Sequence, residues 1–340
     1  DIRARIMEET RCDGALYHVN RSCKILTFLQ AGLRRGIYER NHKPFATFDG
    51  DQTDPTTFSP AQFETRVQAL RENMEAAKAE SKVEILREME YAVTHIRERV
   101  LDEKARGHKV IGCLPILIPE ELVHASGAFP VGIWGAERLP IVRAAEYYPP
   151  YACSVVQSIT ELAIAGAYDG LDGVLISCLC DTLKCVTQSF PLTCPSVKPI
   201  FVKHPQNHRL EGAVTYFIRE LEGVRAQLET LTGRQITEEA LCQSIEIYNE
   251  NRKEMIAFAR LLAEKPGLLT CRERHTVIKA RYFMRKEEHT RLMRELNGML
   301  RASTAPSFEG IKVYVSGVML EPSHILDVMD ELGYTIVGDE

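Results

Sequence analysis

The 340 residues include 45% hydrophobic side chains, 42 Lys and Arg against 47 Asp and Glu, and ten cysteines, for a net charge of −5. The length corresponds to about two domains, the balance of charge offers no basic stripe for nucleic acid, and no apolar run approaches the roughly 20 residues of a membrane span. Ten cysteines without a basic-then-apolar leader indicate a reducing compartment, the cytoplasm by default, rather than a disulfide framework.

In chain order, Ile2, Ile6 and Met7 begin a helix through Glu8, followed by a strand at Gly14–His18, a helix from Lys24 to Arg40 and a strand at Phe45–Phe48. Asp49-Gly50-Asp51 reads as a turn. Ser59 is a candidate N-cap, with Pro60 suited to the first helical turn. The helix that follows carries Phe63, Val67 and Leu70 on one stripe and is expected to dissolve in the charged, alanine-rich stretch Met74 to Ser81. The chain starts at Asp1 inside a helical pattern and stops just after an apolar strand, so both ends read as cut.

A second start is expected at Ser81. A charged helix from Val83 to Lys104 buries Ile85, Met89, Val93, Ile96 and Val100 on one face. Strands are expected at Val110–Cys113, Val131–Ile133, Gly173–Ser177 and Lys198–Val202. Between them come helices Ile118–Gly127, Val155–Gly166 and Asp181–Gln188. Such alternation predicts an α/β unit with a parallel sheet. From Asn207 to Leu300 the pattern is nearly all helical, with pauses at Gly233, Pro266-Gly267 and Thr270. A strand from Gly310, a helix Ser323–Leu332 and a strand Tyr334–Val337 close the sequence. The fold class is therefore α/β, Rossmann-like parallel-sheet domains with a helical segment between them, divided as 1–79, 80–206, 207–304 and 305–340.

Several side chains have chemical potential in this frame. Cys153 and Cys180 fall where strand-loop units end, a setting for iron–sulfur ligands. Cys113, Cys194, Cys242 and Cys271 are expected as core fillers, since a free cysteine behaves as a small hydrophobe. Cys178 shares a face with Cys180 in an extended segment. Structural zinc usually takes close Cys pairs, whereas Cys153 and Cys180 stand far apart, so iron is favoured over zinc. Glu120 and Glu121 suit a helix N-terminus as well as chemistry, and His124 on the same helix faces either a site or the core. Trp134, the single tryptophan, suits a ligand pocket or plain core packing. His204, Gln206 and Asn207 follow a strand end, where ligands of open α/β sheets bind. Arg281, Arg285 and Lys286 form a basic group on one helix, fit for phosphates or for a solvated face. No glycine-rich phosphate loop occurs, so ATP is not expected on this chain.

Ile-Pro-Glu-Glu-Leu-Val-His-Ala-Ser-Gly (118–127), Gly-Ile-Trp-Gly (132–135), Tyr-Ala-Cys-Ser (151–154), Cys-Asp-Thr-Leu-Lys-Cys (180–185), His-Pro-Gln-Asn (204–207) and Phe-Met-Arg-Lys-Glu-Glu-His (283–289) resemble the 2-hydroxyacyl-CoA dehydratases, relatives of the benzoyl-CoA reductases. From Lys82 to Glu340 the resemblance is to the β-type subunit without its C-terminal part. Residues 1–79 resemble the end of the α-type subunit, through Cys12 to Lys24, Phe48 to Gln52 and Ala61 to Arg66. That order is explained by a piece spanning a subunit junction, which is favoured, or by circular permutation, with 1–79 completing the half-domain 305–340.

The resemblance implies a [4Fe–4S] cluster held by three cysteines in each subunit. Cys153 and Cys180 match two β-type ligands, and Cys23 matches the third α-type ligand, so a hybrid site needs the two ends to close on each other. It also implies Glu120 and His124 as catalytic residues, and Trp134, His204, Gln206, Asn207, Arg285 and Lys286 as binding residues for a 2-hydroxyacyl-CoA. The implied reaction is a hydro-lyase elimination of water through a ketyl radical, in the cytoplasm of an amino-acid-fermenting anaerobe. Its partners are a complementary subunit and an ATP-dependent iron–sulfur activator. A benzoyl-CoA reductase-like subunit and a non-catalytic relay or scaffold fragment are the alternatives.

Overall fold

A computed structural model describes residues 6–7, 10, 12, 14–20, 43–50, 58–114, 117–137, 139–150, 152–304, 307–316 and 323–339. The chain divides into two compact units, residues 1–85 and 86–340. Among the described residues no helix is long and apolar enough to cross a membrane.

In the first unit, β1 (Ala15–Asn20) and β2 (Phe45–Gly50) pair in parallel, Ala15 opposite Phe45. Helix α1 (Pro60–Thr94) covers them, its Phe63 ring 4.9 Å from Phe48 and its Arg66 donating to the Thr47 carbonyl at 2.6 Å. Ser59 takes the expected capping position, with Gln62 N–H 3.4 Å from its Oγ. The expected helix 24–40, like Cys23, lies outside the described residues. The break expected at 74–81 does not occur, because α1 runs through it to Thr94. Its Glu, Ala and Lys residues are strong helix formers, so a composition read as a linker is helix surface. The interruption comes at His95, whose φ of −115° and ψ of 47° leave the helical region.

The second unit opens with α2 (Ile96–Ala105) and builds a four-stranded parallel sheet from β3 (Val110–Cys113), β4 (Phe129–Gly132), β5 (Gly173–Ser177) and β6 (Lys198–Val202), in the order β4-β3-β5-β6. Three of the expected strands have the expected bounds, and β4 starts two residues early. Because residues alternate across a strand, Val110, Val131, Val174 and Ile176 pack on one face against Val100 of α2, Ile159 of α4 (Ser154–Ile164) and Val186 of α5 (Asp181–Thr193). Ile111, Leu175, Ile200 and Val202 pack on the other, against Leu122 of α3 (Glu120–Ala125) and Leu228 of α6 (Gly212–Thr232). Strands β3, β4 and β5 are buried along their whole length. Helices cover both faces, as a parallel sheet requires.

The helical segment continues with α7 (Glu238–Glu264), α8 (Cys271–Ala280) and α9 (Lys286–Ala302). Thr270 caps α8 in a reciprocal box with Glu273, the pattern that ends one helix and starts the next. The gap between α8 and α9 has no turn signal in the sequence. Its cause is tertiary, since the Tyr282 carbonyl accepts the Gly132 N–H at 2.8 Å and so draws the backbone to the end of β4. Arg281 and Arg285 consequently flank a break between two helices rather than sharing one. Finally, β7 (Ile311–Val315) and β8 (Tyr334–Asp339) pair in parallel around α10 (His324–Glu331), with Leu326 and Ile336 packed on Cys271.

Candidate functional site

The strand order reverses between β3 and β5, and open α/β sheets bind ligands at the carboxyl ends of the strands flanking such a point. Here β5 runs out through Cys178 and Leu179 into α5, and Cys180 is the N-cap, its Sγ accepting the Leu183 N–H at 3.4 Å. Cys153 is the N-cap of α4, which packs beside α5. Both thiols are exposed. Cys178 is half-buried, its N–H continues the ladder to the Val202 carbonyl at 3.0 Å, and burial pushes its thiol pKa up. Beside it, the fully buried Ser177 Oγ has no hydrogen-bond partner among the described residues. Cys113, Cys194 and Cys271 are buried as expected; Cys242 is exposed, being on the outward face of α7, and is not a core residue.

A cluster-binding edge needs thiol donors that a large group can reach. Cys153 and Cys180 are both exposed and so can be reached by such a group. Among the described residues no group of three or more His, Cys, Asp or Glu side chains is placed to hold a metal ion. Cys23, the third expected ligand, lies outside the described residues.

The short helix α3 presents three polar side chains to the helical segment, and each is engaged. Glu120 Oε2 lies 3.0 Å from the ammonium of Lys286, which also donates to the Arg281 carbonyl at 2.6 Å. Burial pushes the Lys286 pKa down, partly offset by the Glu120 charge. Lys286 was expected at a phosphate or on a solvated face; its side chain is 3% exposed. Glu121 pairs with Arg252. His124 is held at both nitrogens, Nδ1 3.0 Å from Ser244 Oγ and Nε2 3.1 Å from Glu287 Oε1. The bond from His124 holds the Glu287 carboxyl below its usual range. Tyr248 completes the group, its ring 5.0 Å from Lys286 Nζ, its hydroxyl pKa driven well up by burial.

The remaining candidates lie apart. His204 Nε2 is 3.0 Å from the Leu117 carbonyl, joining the loops that follow β6 and β3, while Gln206 and Asn207 are exposed. Arg285 pairs with Glu103, which is 4% exposed and also takes His108 at 2.9 Å. Burial raises the Glu103 pKa, but the Arg285 hydrogen bonds and charge overcome it and hold the carboxyl below its usual range. Trp134 stands between Phe283 (4.8 Å) and Tyr282 (5.3 Å), with Lys279 Nζ 5.7 Å from its ring centre. It borders a cavity of about 670 Å³ that also meets α2, α8, α10 and the turn before β5. Neither the thiols nor α3 lines that cavity. Glu103, Ser244, Glu287 and Lys279 gave no signal in the sequence, because each acquires its role from a partner far along the chain.

The description 2-hydroxyglutaryl-CoA dehydratase, D-component, matches residues 1–74 and 115–340. The chain belongs to this family. Its relatives include the lactoyl-CoA dehydratase subunit beta of Anaerotignum propionicum, 43% identical over 262 residues, or 76% of this chain and 69% of that protein. The (R)-phenyllactyl-CoA dehydratase beta subunit of Clostridium sporogenes is 39% identical over 234 residues, covering 69% of this chain and 62% of that subunit. The N-terminal segment is similar instead to an alpha subunit, that of lactoyl-CoA dehydratase from Anaerotignum propionicum, at 57% over 74 residues, 22% of this chain and 18% of that protein. The chain thus spans 62–69% of these two beta-subunit relatives and a smaller part of the alpha. Dehydratases are hydro-lyases, so the family is one of lyases.

Proposed function

We propose that the chain is an iron–sulfur component of a cytoplasmic (R)-2-hydroxyacyl-CoA dehydratase, which eliminates water from the thioester to give the 2-enoyl-CoA. The observation that supports this best is the pair of exposed thiols, Cys153 and Cys180, each opening a helix on the carboxyl edge of the sheet in a chain of this family. They would hold a [4Fe–4S] cluster with a third donor, Cys23 where the N-terminal segment supplies it. When bound, the cluster supplies one-electron chemistry. The β-hydrogen of the substrate is barely acidic, so general base catalysis alone faces a large barrier. Hence the proposal includes a radical route and a separate ATP-hydrolysing activator, together with a complementary subunit.

The chain's own residues orient and neutralise. Leu183 N–H donates to Cys180 Sγ, tempering charge on that sulfur. Glu120 and His124 are the proposed proton carriers, the first fixed by Lys286 and the second by Ser244 and Glu287. His204, Gln206, Asn207 and Trp134 are proposed to line the path of the acyl-CoA. Contacts of Arg285 and Lys286 with CoA phosphates would compete with Glu103 and Glu120.

Iron and acid-labile sulfide, measured per chain after anaerobic reconstitution, test the reading. About four irons per chain are expected, lost in Cys153→Ala and Cys180→Ala, and lost in Cys23→Ala if the ends close a hybrid site. Iron content indifferent to Cys153 and Cys180 would sink it.

A further inference from the structure

We infer that His124 is held as an imidazolium at neutral pH, with Ser244 and Glu287 as the positioning residues that keep a hydrogen on each ring nitrogen. What the ring then does rests on the dehydratase reading; the proton positions follow from the hydrogen bonds alone.

Ser244 is fully buried, and its hydroxyl has one hydrogen to give. The Glu121 carbonyl, 2.8 Å from the Oγ, can only accept, and it takes that hydrogen. Turned the other way, the hydroxyl would bring two oxygens together at that distance with no hydrogen between them. Towards His124 the Oγ therefore offers a lone pair, so Nδ1, 3.0 Å away, carries a hydrogen. On the other side of the ring, Nε2 lies 3.1 Å from Glu287 Oε1. The Glu287 carboxyl, held below its usual range, is ionised at neutral pH and acts only as an acceptor. Nε2 carries a hydrogen as well. A ring with hydrogen on both nitrogens is a cation.

The surrounding charges leave room for one positive ring. On α7, Arg252 is paired with Glu121, and the Tyr248 ring, 5.9 Å from the imidazole, belongs to an uncharged phenol. At the start of α9, Lys286 is paired with Glu120 and Arg285 with Glu103. On the far side, α6 meets α3 through Val224 and Leu228. Among the described residues, Glu287 is matched by the His124 ring.

A proton carrier that rests loaded is a donor rather than a base. The Glu287 side is half exposed while Ser244 is buried, so Nε2 is the nitrogen that a substrate can reach. In the proposed elimination, the Nε2–H bond breaks as an O–H bond forms on the departing hydroxyl, which takes the C–O electron pair and leaves as water. Neutral imidazole with Nδ1–H remains. The β-proton then falls to Glu120, the acceptor of the two carriers, and exchange with solvent resets both.

Two-bond proton–nitrogen correlation spectra of the full chain, labelled with nitrogen-15 histidine, read each ring nitrogen separately, and His124→Gln gives the assignment. At neutral pH both His124 nitrogens are expected at the hydrogen-bearing shift. Glu287→Gln is expected to leave Nδ1–H alone, since a glutamine amide can donate to Nε2, and Ser244→Ala to leave Nε2–H alone. A merely structural role would not produce opposite tautomers. Circular-dichroism melts confirm that each variant is folded, and the wild-type spectrum decides by itself where one is not. A lone-pair shift at either nitrogen in wild type overturns the inference, as does the same tautomer in both folded variants. Iron content plays no part in these spectra, so a chain that binds no cluster would sink the dehydratase reading and leave the proton positions standing.

Discussion

Lys286 Nζ lies 3.0 Å from Glu120 Oε2, and the two side chains are 3% and 14% exposed. Burial lowers the Lys286 pKa and Glu120 is the charge that works against it. Two ions taken out of water hold each other in place, and removing one leaves the other uncompensated, at a cost of about 3–5 kcal/mol. Lys286→Met is expected to destabilise the chain by about that amount, and Lys286→Met with Glu120→Gln to recover much of the loss. Urea unfolding of both variants checks this; a double variant no more stable than the single would show that the charges are not coupled.

Glu103 and Arg285 make the corresponding link from α2 to the start of α9. The folded Glu103 pKa is held below the ordinary value of 4.5. Its contribution is therefore complete above about pH 4.5 and is lost as pH falls through the folded value. Arg285→Gln removes the main cause of that depression and leaves a buried carboxylate behind. The acid-unfolding midpoint of the variant is expected to move to higher pH, and an unchanged midpoint would rule out the coupling.

Strand positions are legible because fully buried parallel strands leave short, uninterrupted apolar runs, as Val110–Cys113 and Gly173–Ser177 do between turn residues. The continuity of α1 through Met74–Ser81 is not legible for the opposite reason, since an exposed helix surface and a linker share a charged, alanine-rich composition. Cys153 and Cys180 could be placed at element ends from the sequence alone. The engagement of Glu120, His124 and Lys286 could not, because Ser244 and Glu287 reach His124 from 120 and 163 residues away.

His289 is fully buried, with Nε2 3.1 Å from the Val277 carbonyl and Nδ1 2.8 Å from the Asn251 amide. A neutral ring that donates from Nε2 and accepts at Nδ1 satisfies both contacts. Burial pushes its pKa from 6.5 to about 3. The unfolded chain takes up this proton first, so the contribution of His289 is fully present above pH 6.5 and is lost as pH falls toward 3. Stability is expected to decline by about 1.4 kcal/mol per pH unit within that window. His289→Gln is expected to flatten the decline between pH 6 and 4, whatever its effect at neutral pH. Denaturant unfolding at several pH values reads the slope, and parallel curves for the two proteins would contradict the assignment.

Gly132 sits where the end of β4, Trp134 and Tyr282 converge. A Cβ there would lie 2.7 Å from Trp134 Cζ3 and 3.0 Å from Tyr282 Cβ, while the Gly132 N–H is tied to the Tyr282 carbonyl at 2.8 Å. The backbone is held too firmly to retreat, so the indole must move. Gly132→Ala is expected to cost about 1–3 kcal/mol by overpacking and to turn Trp134 away from Phe283. Because no other tryptophan contributes, the displacement is read directly as a red-shifted emission with greater iodide quenching. Wild-type emission in a destabilised variant would place the strain at Tyr282 and the α8–α9 connection instead.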